Sequence, residues 1–279
     1  MQPPRKPPAE QRSKRGSGKS RLDERVVAEG LAESRSAARA LILTGRVLVG
    51  DQPIDKAGTV VRDEAEIRLK GGVRRFVSRG GEKLAGALTD LALDPSGLAC
   101  LDLGASTGGF TDCLLQAGAT RVVALDVGQA QLHERLRQDS RVRVIEKTNA
   151  RELGVEHLDG PVDLVVMDLS FISARLVLPR VAGVLPRAQV VVMVKPQFEV
   201  GREQVGKGGV VRDDALREEA LQGVARCAEG LGYRVRGRAD SRVFGPKGNR
   251  EIFLWLVPAG PEEGAEGGAE GERAEEGCG

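Results

Sequence analysis

Apolar positions along this chain follow two different periods in two different stretches. From Arg21, Leu22, Val26, Val27 and Leu31 recur at helical spacing, with Gly30 placed to end a short helix. Ser34 is a suitable N-cap for a second helix, Arg35 to Thr44, whose Ala37, Ala38, Leu41 and Ile42 form an apolar face, and Gly45 closes it. Short strand patterns follow at Val47–Val49, at Pro53-Ile54 after a Gly50-Asp51 turn, and at Ala65–Leu69. Residues 21–69 thus form a small α+β unit. Beyond them strand patterns fall at Leu98–Leu103, Val122–Asp126, Val142–Glu146, Val162–Asp168, Gln189–Val194, Arg234–Arg238 and Ile252–Val257, with Val190–Val194 the longest purely aliphatic stretch. Helical segments separate most of these runs, which predicts a seven-stranded α/β sheet, mainly parallel and covered on both faces. The last two runs have only the loop Ser241–Arg250 between them and should pair antiparallel.

The polar stretches divide the chain. Residues 1–20 are rich in Pro, Lys, Arg, Ser and Gly without apolar periodicity and read as a disordered basic arm. Residues 70–81 form a basic, glycine-bounded connector, residues 82–260 the larger domain, and residues 261–279 an acidic Gly/Glu tail. The formal net charge of +2 conceals this polarity. The tail holds seven Glu and one Arg, leaving 41 basic against 33 acidic residues in the remainder. A basic body favours a polyanionic partner, and equally favours solubility.

Cys100, Cys113, Cys227 and Cys278 have neither Cys-x-x-Cys spacing nor a neighbouring His pair, so no metal site is expected. No secretory leader pattern and no apolar run near the roughly 18 residues needed to span a bilayer is present, which gives a cytoplasmic reading with no membrane partner.

Residues 101–112, Leu-Asp-Leu-Gly-Ala-Ser-Thr-Gly-Gly-Phe-Thr-Asp, run from a strand into a glycine-rich turn. Gly104, Gly108 and Gly109 can adopt positive φ and admit a ligand close to the backbone. A dinucleotide fingerprint would place Gly at 106, where this chain has Ser. Asp126, ending the next strand roughly 20 residues on, suits a carboxylate that accepts from ribose hydroxyls. An ordinary strand-to-helix turn would look similar without Asp126.

In open α/β sheets, ligands bind beyond the carboxyl ends of the parallel strands. Asp168 and Lys195 each end a buried strand there, and Glu251 begins the antiparallel last strand at the same edge. Lys83, on a helix ahead of the first large-domain strand, could cover that edge. Each of these alone could be a strand-end charge or a solvated helix lysine. In the smaller unit Arg35 and Arg39 stand one helical turn apart and Arg46 follows, so three cations could share a side; a solvated helix face is the plainer explanation.

Four resemblances bear on these residues. The Leu-Asp-Leu-Gly-Ala-Ser turn resembles the first motif of S-adenosylmethionine-dependent methyltransferases, and the seven-strand pattern resembles their Rossmann-like sheet. Arg21-Leu-Asp through Gly45-Arg-Val-Leu-Val-Gly resembles the small RNA-binding module named after a small-subunit ribosomal protein. The order Lys83, Asp168, Lys195, Glu251 is similar to the tetrad of FtsJ-type ribose 2′-O-methyltransferases. Together with Val77-Ser-Arg-Gly-Gly-Glu-Lys-Leu, Asp168-Leu-Ser-Phe-Ile-Ser, Val194-Lys-Pro-Gln-Phe-Glu, Val205-Gly-Lys-Gly-Gly-Val-Val-Arg-Asp and Gly245-Pro-Lys-Gly-Asn-Arg-Glu, these segments resemble the TlyA, or hemolysin A, family over nearly the whole chain.

The family resemblance implies S-adenosylmethionine as cofactor, ribosomal RNA or ribosomal subunits as partner, and 2′-O-methylation of cytidine in 16S and, in some members, 23S rRNA. It implies cofactor contacts at Asp102, Gly104, Ser106, Gly108, Gly109, Asp126, Asn149 and Asp168. It assigns Lys195 as base or hydroxyl-orienting group, Asp168 and Glu251 as its positioning partners, and Lys83 as a support for substrate and charge. RNA contacts would come from Arg21, Arg35, Arg39, Arg46 and Lys207. A departure is Phe76, where members of the family often have Trp. Amine methylation is disfavoured because Asp168-Leu-Ser-Phe replaces an Asn/Asp-Pro-Pro-Tyr-like turn, and carbon-5 methylation because no Cys follows the fourth or fifth strand.

Overall fold

A computed structural model describes residues 18–71, 75–245 and 248–260 of the chain. Most of the basic arm, all of the acidic tail and Cys278 lie outside these residues. The chain divides into two compact units, Met1–Arg74 and Arg75–Gly279.

In the first unit, β1 (Lys19–Arg21) leads directly into α1 (Leu22–Ala28), followed by α2 (Arg35–Leu43), β2 (Val47–Val49), β3 (Gln52–Ile54), β4 (Val60–Arg62) and β5 (Ile67–Leu69). The Ser34 hydroxyl accepts from the Ala37 N–H at 3.2 Å, which fixes the start of α2, and Gly45 leaves the helix at φ +65°. Leu22, Val26, Ala38, Ile42 and Val47 have no exposed surface and form the centre of the core. Strand β2 sits between β3 and β5, both antiparallel, while β1 and β4 make a separate antiparallel pair. That second pair has no sequence signature, because Lys19-Ser-Arg is short and polar; register and the Ser20 hydroxyl donating to Asp63 at 2.6 Å hold it.

The second unit contains α3 (Arg79–Asp90), β6 (Ala99–Leu103), α4 (Gly109–Gln116), β7 (Arg121–Leu125), α5 (Glu134–Arg137), β8 (Val142–Ile145), β9 (Leu164–Met167), α6 (Leu178–Val184), β10 (Gln189–Val194), α7 (Pro196–Glu199), α8 (Asp214–Gly230), β11 (Tyr233–Asp240) and β12 (Ile252–Pro258). Sheet order is β11-β12-β10-β9-β6-β7-β8, with β12 antiparallel to both neighbours and the other pairs parallel. Alternate residues of the strands go to opposite faces. Leu101, Leu103, Val165, Met167, Val190 and Val192 pack with α6 and α8, whereas Cys100, Val166, Val191 and Met193 pack with α3 and α4.

Two differences from the sequence reading have one cause. Helix α3 begins at Arg79, inside the span read as connector, because Ser78 caps it and the glycines that weaken the helical pattern are required by packing. A Cβ on Gly81 would come within 2.4 Å of the Phe76 side chain and 2.8 Å of the Gly109 carbonyl; one on Gly109 would meet the Gly81 nitrogen at 2.8 Å. The first turns of α3 and α4 therefore lie against each other, with Phe76 buried beside them. Gly109 is the first residue of α4 and lacks positive φ, so its missing Cβ serves this packing rather than a left-handed turn.

Candidate active site and arginine cluster

Strand register alone aligns the candidate groups. On the β6–β9 ladder Leu103 pairs with Met167, so Gly104 is level with Asp168; the Asp168 N–H donates to the Leu103 carbonyl at 3.0 Å. A Cβ on Gly104, at φ +87°, would meet the Asp168 carbonyl oxygen at 2.5 Å. The β9–β10 register brings Lys195 level with Ser170, and Lys195 Nζ donates to Ser170 Oγ at 3.0 Å. One step past the antiparallel pair Val194–Ile252, Lys195 lies across from Glu251.

The four charged residues form two ion pairs. Lys195 Nζ lies 2.5 Å from Asp168 Oδ1, as an ion pair without hydrogen-bond geometry, so that oxygen has no hydrogen-bond partner. Lys83, on α3, pairs with Glu251 Oε2, and both side chains are buried. A buried charge is tolerated only with such a partner. The sequence brings Lys83, Asp168, Lys195 and Glu251 to one edge, but their division into a buried pair and a more open one is visible only in three dimensions.

The glycine turn is built around two carboxylates. Asp126 Oδ2 accepts from the Ser106 N–H at 2.8 Å and Oδ1 from the Gly128 N–H at 2.6 Å. Ser106 takes φ +48°, and Gly108 caps α4 at φ +95°, where a Cβ would strike Leu132 and Leu136. Asn149 caps the turn Ala150–Glu152, accepting from the Arg151 N–H at 3.0 Å; its neighbour Thr148 donates its N–H to the Asp126 carbonyl at 3.1 Å. Asn149 and Asp126 thus border the same end of the sheet.

Asp102 lies beneath them, fully buried. Its Oδ2 accepts from the Thr111 N–H at 2.9 Å and from the Thr111 hydroxyl at 2.7 Å, tying β6 to the start of α4, while Oδ1 has no partner. Burial pushes its carboxyl up to about 7, with Thr111 acting in the opposite direction. Burial also pushes the Cys100 and Cys113 thiols up to about 12, so neither is a ready thiolate.

Several contributors gave only motif-level signals in the sequence. Glu199, buried at the end of α7, accepts from the Ser173 hydroxyl at 2.6 Å and the Ala174 N–H at 2.7 Å. Arg175 Nε donates to it at 3.2 Å. This joins the segment after Asp168 to the segment after Lys195. Phe171 is 90% exposed at φ +65°, with Phe198 5.4 Å away. Buried Asn249 accepts from the Val211 N–H at 3.0 Å and donates to the Gly209 carbonyl at 2.8 Å, holding the turn whose exposed tip is Lys207.

In the small unit three arginines converge on buried Asp23. Arg21 Nε donates to Oδ1 at 3.0 Å and its Nη2 to Oδ2 at 3.2 Å; Arg35 Nη2 reaches Oδ2 at 3.2 Å and Arg39 Nε at 3.1 Å. The expected third member, Arg46, has no place among these Asp23 contacts, because it follows the Gly45 turn beyond the helix. Arg21, entering α1, takes that place.

Comparison with known proteins agrees with both halves. Residues 76–257 match the FtsJ-like methyltransferase family, and residues 20–67 match the S4 domain. The chain is 50% identical over 240 residues to the 16S/23S rRNA (cytidine-2′-O)-methyltransferase TlyA of Mycobacterium tuberculosis, covering 85% of this chain and 90% of that protein. It is 41% identical to Hemolysin A of Brachyspira hyodysenteriae, covering 85% of this chain and 99% of that protein. A solved structure described as a hemolysin from Streptococcus thermophilus shares 41% identity and a TM-score of 0.67, covering 87% of this chain and 90% of that one. Among the described residues no helix is long and apolar enough to cross a membrane.

Proposed function

Because the chain belongs to the TlyA family of FtsJ-like methyltransferases, we propose that it methylates the ribose 2′-hydroxyl of a cytidine in ribosomal RNA, with S-adenosylmethionine as donor. The observation that carries this reading is the pair of lysine–carboxylate contacts set beside the Gly104–Asp126 turn. The residues present suit the donor. Gly104 lets the turn close against the Asp168 backbone, Asp126 offers remaining lone pairs to ribose hydroxyls, and the Asn149 side-chain nitrogen can donate to adenine while its oxygen caps the next turn.

When bound, S-adenosylmethionine supplies a methyl already activated by its positive sulfur. The protein must therefore orient the acceptor and remove one proton. Lys195, anchored by Ser170 and Asp168, aims an N–H at the ribose oxygen and fixes the direction of its lone pair. The hydroxyl proton would pass to Asp168, whose Oδ1 has no hydrogen-bond partner beside Lys195, while the bound donor would supply the methyl from its sulfur. Glu251, opposite Lys195, and its partner Lys83 keep this edge dry and its charges balanced. Phe171 offers an exposed ring on which an unstacked base can lie.

Oxygen is favoured over carbon as acceptor because the thiols of Cys100 and Cys113 are buried and held protonated. The S4 unit, through Arg21, Arg35 and Arg39, supplies phosphate contacts suited to A-form RNA, whose major groove is too narrow for side chains. Lys207 adds a cation on the larger unit. The test is incubation of the full chain with isotopically labelled donor and unmodified ribosomal subunits. Label should appear in RNA, in nucleotides resistant to alkaline cleavage. Absence of label from both subunits and from free rRNA would refute the proposal.

A further inference from the structure

Asp23 presents a charge arrangement that neutralisation alone does not require. One buried carboxylate needs one cationic partner, yet three guanidinium groups are drawn to it. The Arg21 guanidinium, with help from Arg39 and Arg35, holds its carboxyl well below the usual carboxylate range. Fixing each arginine costs side-chain entropy. The arginines nevertheless remain outward-facing, with side chains 43%, 50% and 53% exposed for Arg21, Arg35 and Arg39.

Each guanidinium has five N–H donors in a rigid plane. Contacts with Asp23 take two from Arg21 and one each from Arg35 and Arg39, so each fork keeps donors that Asp23 does not use. Glu24, itself half exposed, meets Arg35 at 3.3 Å. The local sum of three arginines and two carboxylates is positive.

We propose that Asp23 is a positioning residue for RNA: it locks Arg21, Arg35 and Arg39 into a preformed set of forks that accepts backbone phosphate. This rests on the reading of the S4 unit as an RNA-binding surface. A fork already held in place loses less freedom on meeting phosphate than three free side chains would. An acidic residue thereby strengthens binding to a polyanion.

Because an acidic residue is expected to aid binding to a polyanion, two charge-equivalent substitutions should behave oppositely. Binding of the full chain to unmodified ribosomal subunits is measured across a series of salt concentrations. Asp23→Asn and Glu24→Gln each remove one negative charge. The proposal expects Asp23→Asn to weaken binding several-fold and make the log–log salt slope shallower by roughly one phosphate contact. Glu24→Gln should bind as tightly as wild type or more tightly. Equal or tighter binding by Asp23→Asn would overturn the proposal.

A second variant remains informative if Asp23→Asn lowers the unfolding midpoint. Arg35→Lys with Arg39→Lys keeps the charge but removes the forks, and should also weaken binding; unchanged affinity would overturn the proposal. Loss of binding in Arg35→Ala and Arg39→Ala, alongside wild-type binding in Asp23→Asn, would leave the RNA surface standing and remove Asp23 from it. Unchanged binding and slope in both alanine variants would refute the surface itself and, with it, the role of Asp23.

Discussion

Lys83 and Glu251, 168 positions apart in sequence, form a buried ion pair that joins α3 to the start of β12. Removing either member alone leaves a charge in a place that water does not reach. Lys83→Met is therefore expected to destabilise the protein by about 3–5 kcal/mol, whereas Lys83→Met with Glu251→Gln should recover much of that loss. Denaturant unfolding of both variants checks this. Methyl transfer should stay low in the double variant, because restored stability does not restore the electrostatics opposite Lys195.

Gly104 and Gly183 make a matched contrast. Ala at 104 would have to tolerate φ +87° and a Cβ 2.5 Å from the Asp168 carbonyl, so Asp168 must shift. Gly104→Ala should lose cofactor affinity and activity together. Gly183, in α6, has nothing near its missing Cβ, and Gly183→Ala should be neutral or stabilising by about 0.5–1 kcal/mol. Calorimetric titration of S-adenosylmethionine and thermal unfolding of both variants distinguish the two roles.

Asp102 gives a pH prediction. Burial raises its folded-state value from 3.8 to about 7, so between those values the folded protein holds a proton that the unfolded chain has released. The associated stability is full below the lower value and is lost as pH rises through the higher one. The stability difference between wild type and Asp102→Asn should therefore drift from about pH 4 to pH 7, against wild type, then level off. Urea midpoints across that range measure it; a constant difference would count against a raised Asp102.

Glu199 should affect turnover more than donor binding. Its contacts reach Ser173, Ala174 and Arg175, not the glycine turn. Glu199→Ala should lower kcat at least tenfold through misplacement of Asp168 relative to Lys195, with donor Kd near wild type. Glu199→Gln, which keeps an acceptor for the Ala174 N–H, should retain more activity. Equal kcat in Glu199→Ala and wild type would remove Glu199 from the site.

Much of this was legible in the sequence for a physical reason. Wholly buried strands read as continuous apolar runs, and the polar residues that end them, Asp168 and Lys195, must emerge at one sheet edge. Glu251 joined them because a short loop forces β12 to run backwards. What stayed hidden depends on side chains meeting across long separations. Nothing local says that Lys83 pairs with Glu251 rather than Asp168, or that Gly81 and Gly109 exist to let two helices touch. The arginine cluster shows the same limit: periodicity linked Arg35 and Arg39, but the third partner comes from Arg21 on a different element, through a carboxylate that the pattern marked only as part of Arg-Leu-Asp.

The most direct measurement is nucleotide-resolution mapping of methylation in unmodified ribosomal subunits, after incubation with donor and either wild type or Lys195→Ala. The account predicts 2′-O-methylcytidine from wild type, and a loss of at least a hundredfold in rate for Lys195→Ala while donor affinity is retained. Methylation on a base, or equal ribose methylation by both proteins, would contradict it.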